Sequence, residues 1–533
     1  MRLPILVLTA VVALLAVVAA PAGAAGFRYG VTAGEVTASS AVLWSRSDRA
    51  GRVTLEVSRS RTFRSGVRRF RLRAKRSDDN AVQRKVGRLT SGKRYHFRFR
   101  RGGTRSERGT FVTAPARASR STIEFAWTGD TDFQVKPGQS RPFWNGGGIF
   151  RRMRAERNDF NIHLGDTIYS DTEVNSTGDA PASPPALTVS QKWAKFKLNL
   201  GNRNLRSLRG SGGFYSHWDD HEFINDFSPR ESTFDPSEDQ PNVNLNGDVL
   251  YRRGVRAFRD YAPITYSRRA GIYRSFRWGA NLEVFFLDQR SFRDAKADEG
   301  GVCNNPQTGS PDFAPTAPQR IRSVFGSVFP ESGLSQPVSP ACLAAIRNPN
   351  RDYLGDSQYR RFTRAINRSK ARFKVIMNEM PIQQYYVLPY DRWEGYEAER
   401  QRLLTFLRDN VKNTIFLTTD VHATLVNDAR FQTLEEGGAR NSGIFDFTVG
   451  SAATKNLGQE FDDALNRPGA GNLARDGFFK PQPPNGVGMR CSVVDQFSYG
   501  QVRVTRNTLT VTPKDINGRR LSDCAPLRLR YQR

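Results

Sequence analysis

The chain has 533 residues and a mass of 59.9 kDa, too long for one simple core at roughly 100–200 residues per domain. Hydrophobic residues make up 38% and include 35 Phe, 16 Tyr and 7 Trp, which excludes a wholly disordered chain; one long apolar run, at the N-terminus, excludes a polytopic membrane protein. The net charge of +29 is uneven: residues 27–119 hold 24 Lys/Arg against six Asp/Glu, a net of +18, a field that attracts nucleic acid, anionic lipid or acidic cell-wall polymer, although a soluble basic protein needs no such partner.

Arg2 precedes the apolar run Leu3–Ala20 and then Pro21-Ala22-Gly23-Ala24. This pattern reads as a signal peptide over residues 1–24, cut after Ala24, with an uncleaved anchor as the alternative. No Arg-Arg pair precedes the run, so the general export route is expected and the body of the protein lies outside the cytoplasm. The four cysteines allow three pairings, and none forms a C-x-x-C zinc motif. Export permits disulfides; Cys303–Cys342 and Cys491–Cys524 close the shortest loops.

Residues 27–115 read as short strands. Val42-Leu43-Trp44, Val53–Val57 and Tyr95–Phe99 alternate or carry β-branched and aromatic residues. Leu89–Phe97 resembles the tyrosine-bearing turn and strand of fibronectin type III domains, which implies an Ig-like sandwich with Trp44 as its core tryptophan. Residues 116–121 look like an exit linker.

From residue 120 to 515 apolar strands alternate with helical stretches, an α/β pattern. Ile123–Trp127 runs into Gly129-Asp130, and Asp159–Leu164 into Gly165-Asp166. Leu282–Leu287 runs into Asp288, Phe373–Met377 into Asn378-Glu379, and Thr414–Thr418 into Thr419-Asp420-Val421-His422. In layered α/β folds ligands bind beyond the carboxyl ends of strands, so five such endings together point to a shared polar site. Helices are expected over Ser357–Ser369 and Tyr396–Asn410. Residues 173–190 and 303–340, rich in Pro, Ser, Gly and Asn, read as loops inserted on the catalytic face, and residues 516–533 as a C-terminal tail.

Four clusters carry chemistry: Gly129-Asp130-Thr131-Asp132, Gly165–Tyr169, Trp218-Asp219-Asp220-His221-Glu222 and Thr419-Asp420-Val421-His422. Hard oxygen ligands with one or two imidazoles suit di- or trivalent ions. A carboxylate such as Asp166 can bridge two of them at about 3.5–4 Å, the separation used for in-line attack on phosphorus. Singly, each motif has a plainer reading. Gly-Asp is usually a turn, and Asp219-Asp220 can cap a helix. His217 and His221 stand four apart, but the residues between them are poor helix formers, so His217 reads as structural. His163, inside an apolar strand, reads as a core histidine, and His96 as a surface or core residue of the basic segment. His221 and His422 remain as the histidines in acidic company.

Taken together, these motifs resemble the PhoD family of alkaline phosphatases, within the calcineurin-like metallophosphoesterases. Gly165-Asp166-Thr167-Ile168-Tyr169 matches that family's G-D-x-I-Y, and Trp218–Glu222 matches its W-D-D-H-E, with Asn225 just beyond. Leu287–Arg293 resembles its L-D-x-R-x-x-R, and Asp420-Val421-His422 its G-D-V-H. The resemblance covers roughly residues 27–515. It implies a four-layer metallophosphoesterase sandwich preceded by a small all-β domain, and an exported phosphomonoesterase or phosphodiesterase working at alkaline pH with ferric iron and calcium (Fe3+ and Ca2+). By the same resemblance Tyr169 is an iron ligand, Asp166 bridges metals, and Asp220 takes the place of a metal-binding Asn. His221 is the neighbouring acid, and Asp420 and His422 close the site. Arg290 either holds phosphate or forms a strand-to-loop salt bridge, and Asn378 is either a ligand or a turn residue. One departure stands out. Family members carry Ser-Cys-Gln after the first strand, with the cysteine a ligand; here Asp130, followed by Asp132, puts carboxylates there, which favours harder ions.

The leading expectation is a secreted metal-dependent phosphatase or phosphodiesterase acting on extracellular phosphate esters. Two alternatives stand beside it: a non-catalytic protein that docks on cell-wall polymer or anionic membrane through the basic domain, with a degenerate phosphatase domain, and an extracellular nuclease. No aromatic–basic stacking motif favours nucleic acid.

Overall fold

The computed structural model describes residues 26–172, 174, 184–230, 246–431, 441–476 and 489–533. The leader, residues 1–24, lies outside them, as does most of the 173–183 stretch. Among the described residues three sheets form. One has nine strands and is centred on Ile123–Thr128, Phe160–Leu164 and Gly213–His217, which run parallel. A second has seven, with Leu282–Phe286, Phe373–Met377, Thr414–Thr418 and Asn441–Thr448 parallel at its centre. A third has five and belongs wholly to residues 51–112.

Parallel strands covered on both faces favour continuous apolar runs, and Leu282–Phe286, Phe373–Met377 and Thr414–Thr418 come near to this. Phe125, Trp127, Ile162 and Leu164 meet Val284, Phe286, Val375 and Leu417 in one buried cluster between the two large sheets. On the outer face of the first sheet, Ala126 and Phe214 pack under helices Gly148–Ala155, Val189–Gly201, Arg203–Ser211 and Gly247–Tyr261. On the outer face of the second, Phe285, Ile376 and Phe416 pack under helices Asp356–Arg368 and Glu397–Asn410. Helix, sheet, sheet, helix is the four-layer α/β sandwich expected from the motifs, and the five expected strands and two expected helices lie where their periodicity puts them.

The N-terminal strands form a sandwich whose two halves have different fates. Gly51–Ser58, Arg68–Ala74, Arg94–Arg101, Thr104–Arg105 and Gly109–Val112 make the separate five-stranded sheet. Val31–Gly34, Ala41–Arg46 and Ala81–Val86 instead continue the nine-stranded sheet, joined to it where Ala33 pairs Gly213. The tyrosine corner is present: the Thr90 N–H donates to the Tyr95 hydroxyl at 2.9 Å. Trp44 corrects the fibronectin analogy. Its neighbour Leu43 faces the sandwich interior, so Trp44, one residue on, faces the other way. It packs against Tyr261 at 5.9 Å and donates from Nε1 to the Asp260 carbonyl, which fastens the sandwich to helix Gly247–Tyr261.

Two further segments differ from the reading. Residues 303–340, expected to be loop, contain the helix Gln319–Val328, whose buried face holds Arg322 ion-paired to Asp312. Residues 516–533 are not a loose tail: Leu527–Arg530 is the edge strand of the nine-stranded sheet. Disulfides join Cys303 to Cys342 and Cys491 to Cys524, the pairing expected from loop length. Among the described residues no helix is long and apolar enough to cross a membrane.

Candidate metal centre

The strand ends of both sheets converge. Asp130 follows Ile123–Thr128, Asp166 follows Phe160–Leu164, Asp219–His221 follow Gly213–His217, and Asp420 and His422 follow Thr414–Thr418. Each turn is tight. Asp130, Asp166, Asp420 and His422 all take positive φ, at 57°, 46°, 71° and 50°, a conformation held only where surrounding contacts enforce it. Two glycines explain the Gly-Asp motifs. A Cβ on Gly129 would stand 2.8 Å from the Leu164 carbonyl, and one on Gly165 would stand 2.6 Å from the Asp219 Cβ. Only glycine lets the loops cross this closely.

Four groups of three side chains bring one ligand atom each within 4.8 Å of one another: Asp130, Asp166 and His422; Asp166, Asp220 and His221; Asp219, Asp220 and Asp420; and Asp220, Asp226 and Asp391. Asp166 and Asp220 each serve more than one group, as bridging carboxylates would. The Tyr169 hydroxyl lies 2.9 Å from His422 Nε2, and its ring stacks on His221 at a 4.0 Å centroid distance. The sequence reading brought Asp130, Asp166, Tyr169, Asp220, His221, Asp420 and His422 to this centre, and they meet there.

The electrostatics fit a cation. Burial pushes the Asp130 carboxyl up to about 7, and burial with carboxylate crowding pushes Asp166, Asp219 and Asp420 well above the usual range. Buried oxygens on Asp130, Asp219, Asp220 and Asp391 have no hydrogen-bond partner. A set of hard carboxylates, a phenol and imidazoles with acceptors to spare is the donor chemistry of hard metal ions.

Three supports hold the set. Glu222 accepts from the backbone N–H groups of Asp166, Thr167 and Asp219, tying two loops together. Asp171 accepts from His221 Nδ1 at 2.6 Å. Burial works against a charge on His221, but Asp171, Asp220 and Asp166 prevail and hold its pKa well above the ordinary value. Arg290, fully buried, donates from Nε to Asp219 at 2.5 Å and from Nη1 to Asp391 at 2.8 Å, with Nη2 3.5 Å from Asp220. Both readings find support: Nε and Nη1 are taken by Asp219, Asp391 and the Phe227 carbonyl, which buttresses those carboxylates, while Nη2 makes no hydrogen bond among the described residues.

Other expected residues stand apart. Asp132 accepts from the Gln134 N–H and the Thr172 hydroxyl, which use both its oxygens. Asn225 is exposed and reaches the centre only through its N–H, which donates to Asp171. Asn378 is not of this kind: it is buried at the end of Phe373–Met377 with Nδ2 bonded to the Met380 carbonyl and, among the described residues, no partner for Oδ1, so ligand and turn residue both remain open. His163 bonds Thr131 inside the core, and burial holds it down to about 3. His217, likewise held to about 3 by burial, sits 2.9 Å from the buried Glu379. Asp391 escaped the sequence reading. It lies in an irregular loop just before the short helical turn Trp393–Tyr396, with no strand end to mark it.

Comparison with known proteins gives the family and the fold. Residues 133–511 match the family described as PhoD-like phosphatase, and residues 13–115 match the PhoD-like phosphatase N-terminal domain. Alkaline phosphatase D of Bacillus subtilis (strain 168) is 25% identical over 429 residues, 75% of this chain; the match spans 64% of that relative, just under two thirds of its length. A solved structure of PhoD superposes with a TM-score of 0.70 at 20% identity, over 94% of this chain and 93% of that one. A purple acid phosphatase from yellow lupin (Lupinus luteus) seeds superposes with 0.54 at 12% identity, over 92% and 73%. These two likenesses carry the fold. The family match runs through well over half of the sequence and takes in every converging carboxylate and imidazole except Asp130, and so the chain belongs to the PhoD-like phosphatase family.

Proposed function

We propose that the chain is a secreted, metal-dependent hydrolase of phosphate mono- or diesters. The observation that carries this reading is the sharing of Asp166 and Asp220 between adjacent ligand groups. Asp130, Asp166, Tyr169 and His422 would hold one ion, by resemblance Fe3+, and Asp219, Asp220 and Asp420 would hold a neighbour, by resemblance Ca2+. Bound metal supplies a nucleophilic water of lowered pKa and charge to steady phosphate oxygens.

The chain's own groups do the rest. Asp171 fixes the His221 ring through Nδ1 and keeps it cationic, so the proton on Nε2 is available to the leaving oxygen of the ester. Arg290 positions Asp219 and Asp391. Glu222 fixes the loops that bear Asp166 and Asp219. The basic sandwich over residues 27–115 supports a polyanionic partner, and the two disulfides support an oxidising compartment.

The test is hydrolysis of p-nitrophenyl phosphate and its bis ester across pH, with metal content measured on the same sample. Alkaline hydrolysis with iron and calcium bound is expected. No turnover after resupply of iron, calcium, zinc and manganese would overturn the reading in favour of a binding protein.

A further inference from the structure

The five-stranded sheet turns one face to the sandwich core and the other outward. Alternation sends Leu55, Phe97 and Phe99 inward and arginines outward. Arg69, Arg71 and Arg73 stand at every second position of the edge strand, about 7 Å apart at ~3.4 Å per residue. Arg73 faces Arg52 directly across the ladder, and Glu56 faces Arg69 on one side and Arg98 on the other. Glu56 is buried and takes Arg69, Arg98 and Arg100 as partners. Among the described residues Arg52, Arg71 and Arg73 are exposed and make no ion pair.

Like charges directly opposite on a sheet are destabilising. A pair such as Arg52 and Arg73 breaks a local rule without any compensating contact inside the protein, a mark of function. The face carries no anchor for a bilayer or a base. The exposed large apolar side chains among the described residues are Val302, Val324, Val328, Leu388 and Leu473, all outside this sandwich. Phe63 is covered by the Arg98 guanidinium at 4.2 Å, and Phe70, on the edge strand itself, packs toward the core with Arg68 and Arg84 over its ring. Membrane-surface binding draws on buried apolar groups, and single-stranded nucleic acid binding draws on open aromatic platforms.

We propose that this face docks a linear polymer of backbone phosphates without bases, held by charge alone. The proposal deepens the phosphate-ester reading and rests on it, because it gives that hydrolase a second, non-catalytic point of attachment on the N-terminal sandwich.

The test uses the full chain and its Arg52→Gln/Arg71→Gln/Arg73→Gln variant, with long-chain inorganic polyphosphate as probe. At 0.15 M salt the variant is expected to bind at least tenfold more weakly. The slope of log affinity against log salt should fall by about 2 to 3, since each phosphate contact contributes roughly 0.7–0.9. Hydrolysis of p-nitrophenyl phosphate should be unchanged, and the melting temperature unchanged or raised, whereas arginines with a structural role would lower it. Equal affinity of the two proteins would overturn the proposal. So would tighter binding of oligo(dT) of equal phosphate number, which would indicate base recognition, or binding to phosphatidylglycerol vesicles without binding to polyphosphate. Polymer binding lost in the variant, in a protein that hydrolyses no small ester under any metal, would support the docking face and overturn only the proposed chemistry.

Discussion

Two regions of this molecule gather charge of one sign, and they handle it in opposite ways. At the strand ends of the large sheets, carboxylates crowd into a buried centre with Arg290 and His221 as their counter-charges. On the outer sheet of the N-terminal sandwich, arginines stand in water around the single carboxylate of Glu56. Inside, the crowding is expressed as protonation: burial raises Asp130, Asp166, Asp219 and Asp420. Outside, solvent screens the repulsion, which costs on the order of tenths of a kcal/mol per opposed pair. A buried cluster calls for a cation of fixed geometry, and an exposed one accepts any polyanion that matches its spacing.

The hardest way to break the comparison is to remove a shared ligand. Asp166→Asn should lower p-nitrophenyl phosphate turnover by more than the roughly 10–100-fold that outer-shell changes cost, while polyphosphate binding stays within twofold. Hydrolysis at the wild-type rate would sink the assignment of Asp166.

Metal removal should separate the regions by pH. A carboxyl raised in the folded state stabilises the fold below its unfolded value and loses that contribution as pH rises through the folded one. For Asp130 the window runs from 3.8 to about 7. The metal-depleted protein should therefore melt progressively lower than the metal-loaded protein as pH rises from 5 to 8, read by calorimetry. A gap that narrows over that interval would refute the centre described here. Ligand deprotonation over the same window should make metal affinity rise with pH.

Glu56 gives the opposite sign. Burial alone would raise its carboxyl, but Arg98 and Arg69 outweigh burial and hold it below the ordinary range. Its contribution is present above the ordinary carboxyl pKa and fades as pH falls. Glu56→Gln should cost about 1–3 kcal/mol in urea unfolding and at the same time tighten polyphosphate binding, because the face loses its one anion. The smallest effect is expected from Arg73→Thr: relief of the repulsion against Arg52 should stabilise the protein by about 0.2–1 kcal/mol.

Much of the centre was legible in the sequence because parallel strands buried on both faces are uninterrupted apolar runs, and an aspartate that ends such a run stands out. Ile123–Trp127 before Asp130 and Thr414–Thr418 before Asp420 are instances. Asp391 was not legible, because an irregular loop has no period to mark it. Asp132 looked equivalent to Asp130, but two residues further on the chain has turned and Thr172 meets it. The helix Val189–Gly201 escaped because Lys192 and Asn199 stand in its buried stripe; Gly247–Tyr261, with Leu250, Gly254, Phe258 and Tyr261 at helical spacing, was legible and was overlooked. Trp44 was assigned to the wrong layer, because a two-residue period tells that neighbours face opposite ways but not which layer lies on each side.

The strand that carries Asp130 has Phe160–Leu164 on one flank and Ser498–Val504 on the other. The Thr128 hydroxyl donates to the Ser498 carbonyl across 370 positions of sequence. Contacts of such separation form slowly, since a long loop must close before they repay it. On the ribosome the turn that carries Asp130 is made hundreds of residues before Ser498–Val504, so this part of the nine-stranded sheet stays without its second flank until that strand emerges. Over that interval the carboxylates of the centre have only part of the scaffold that holds them together.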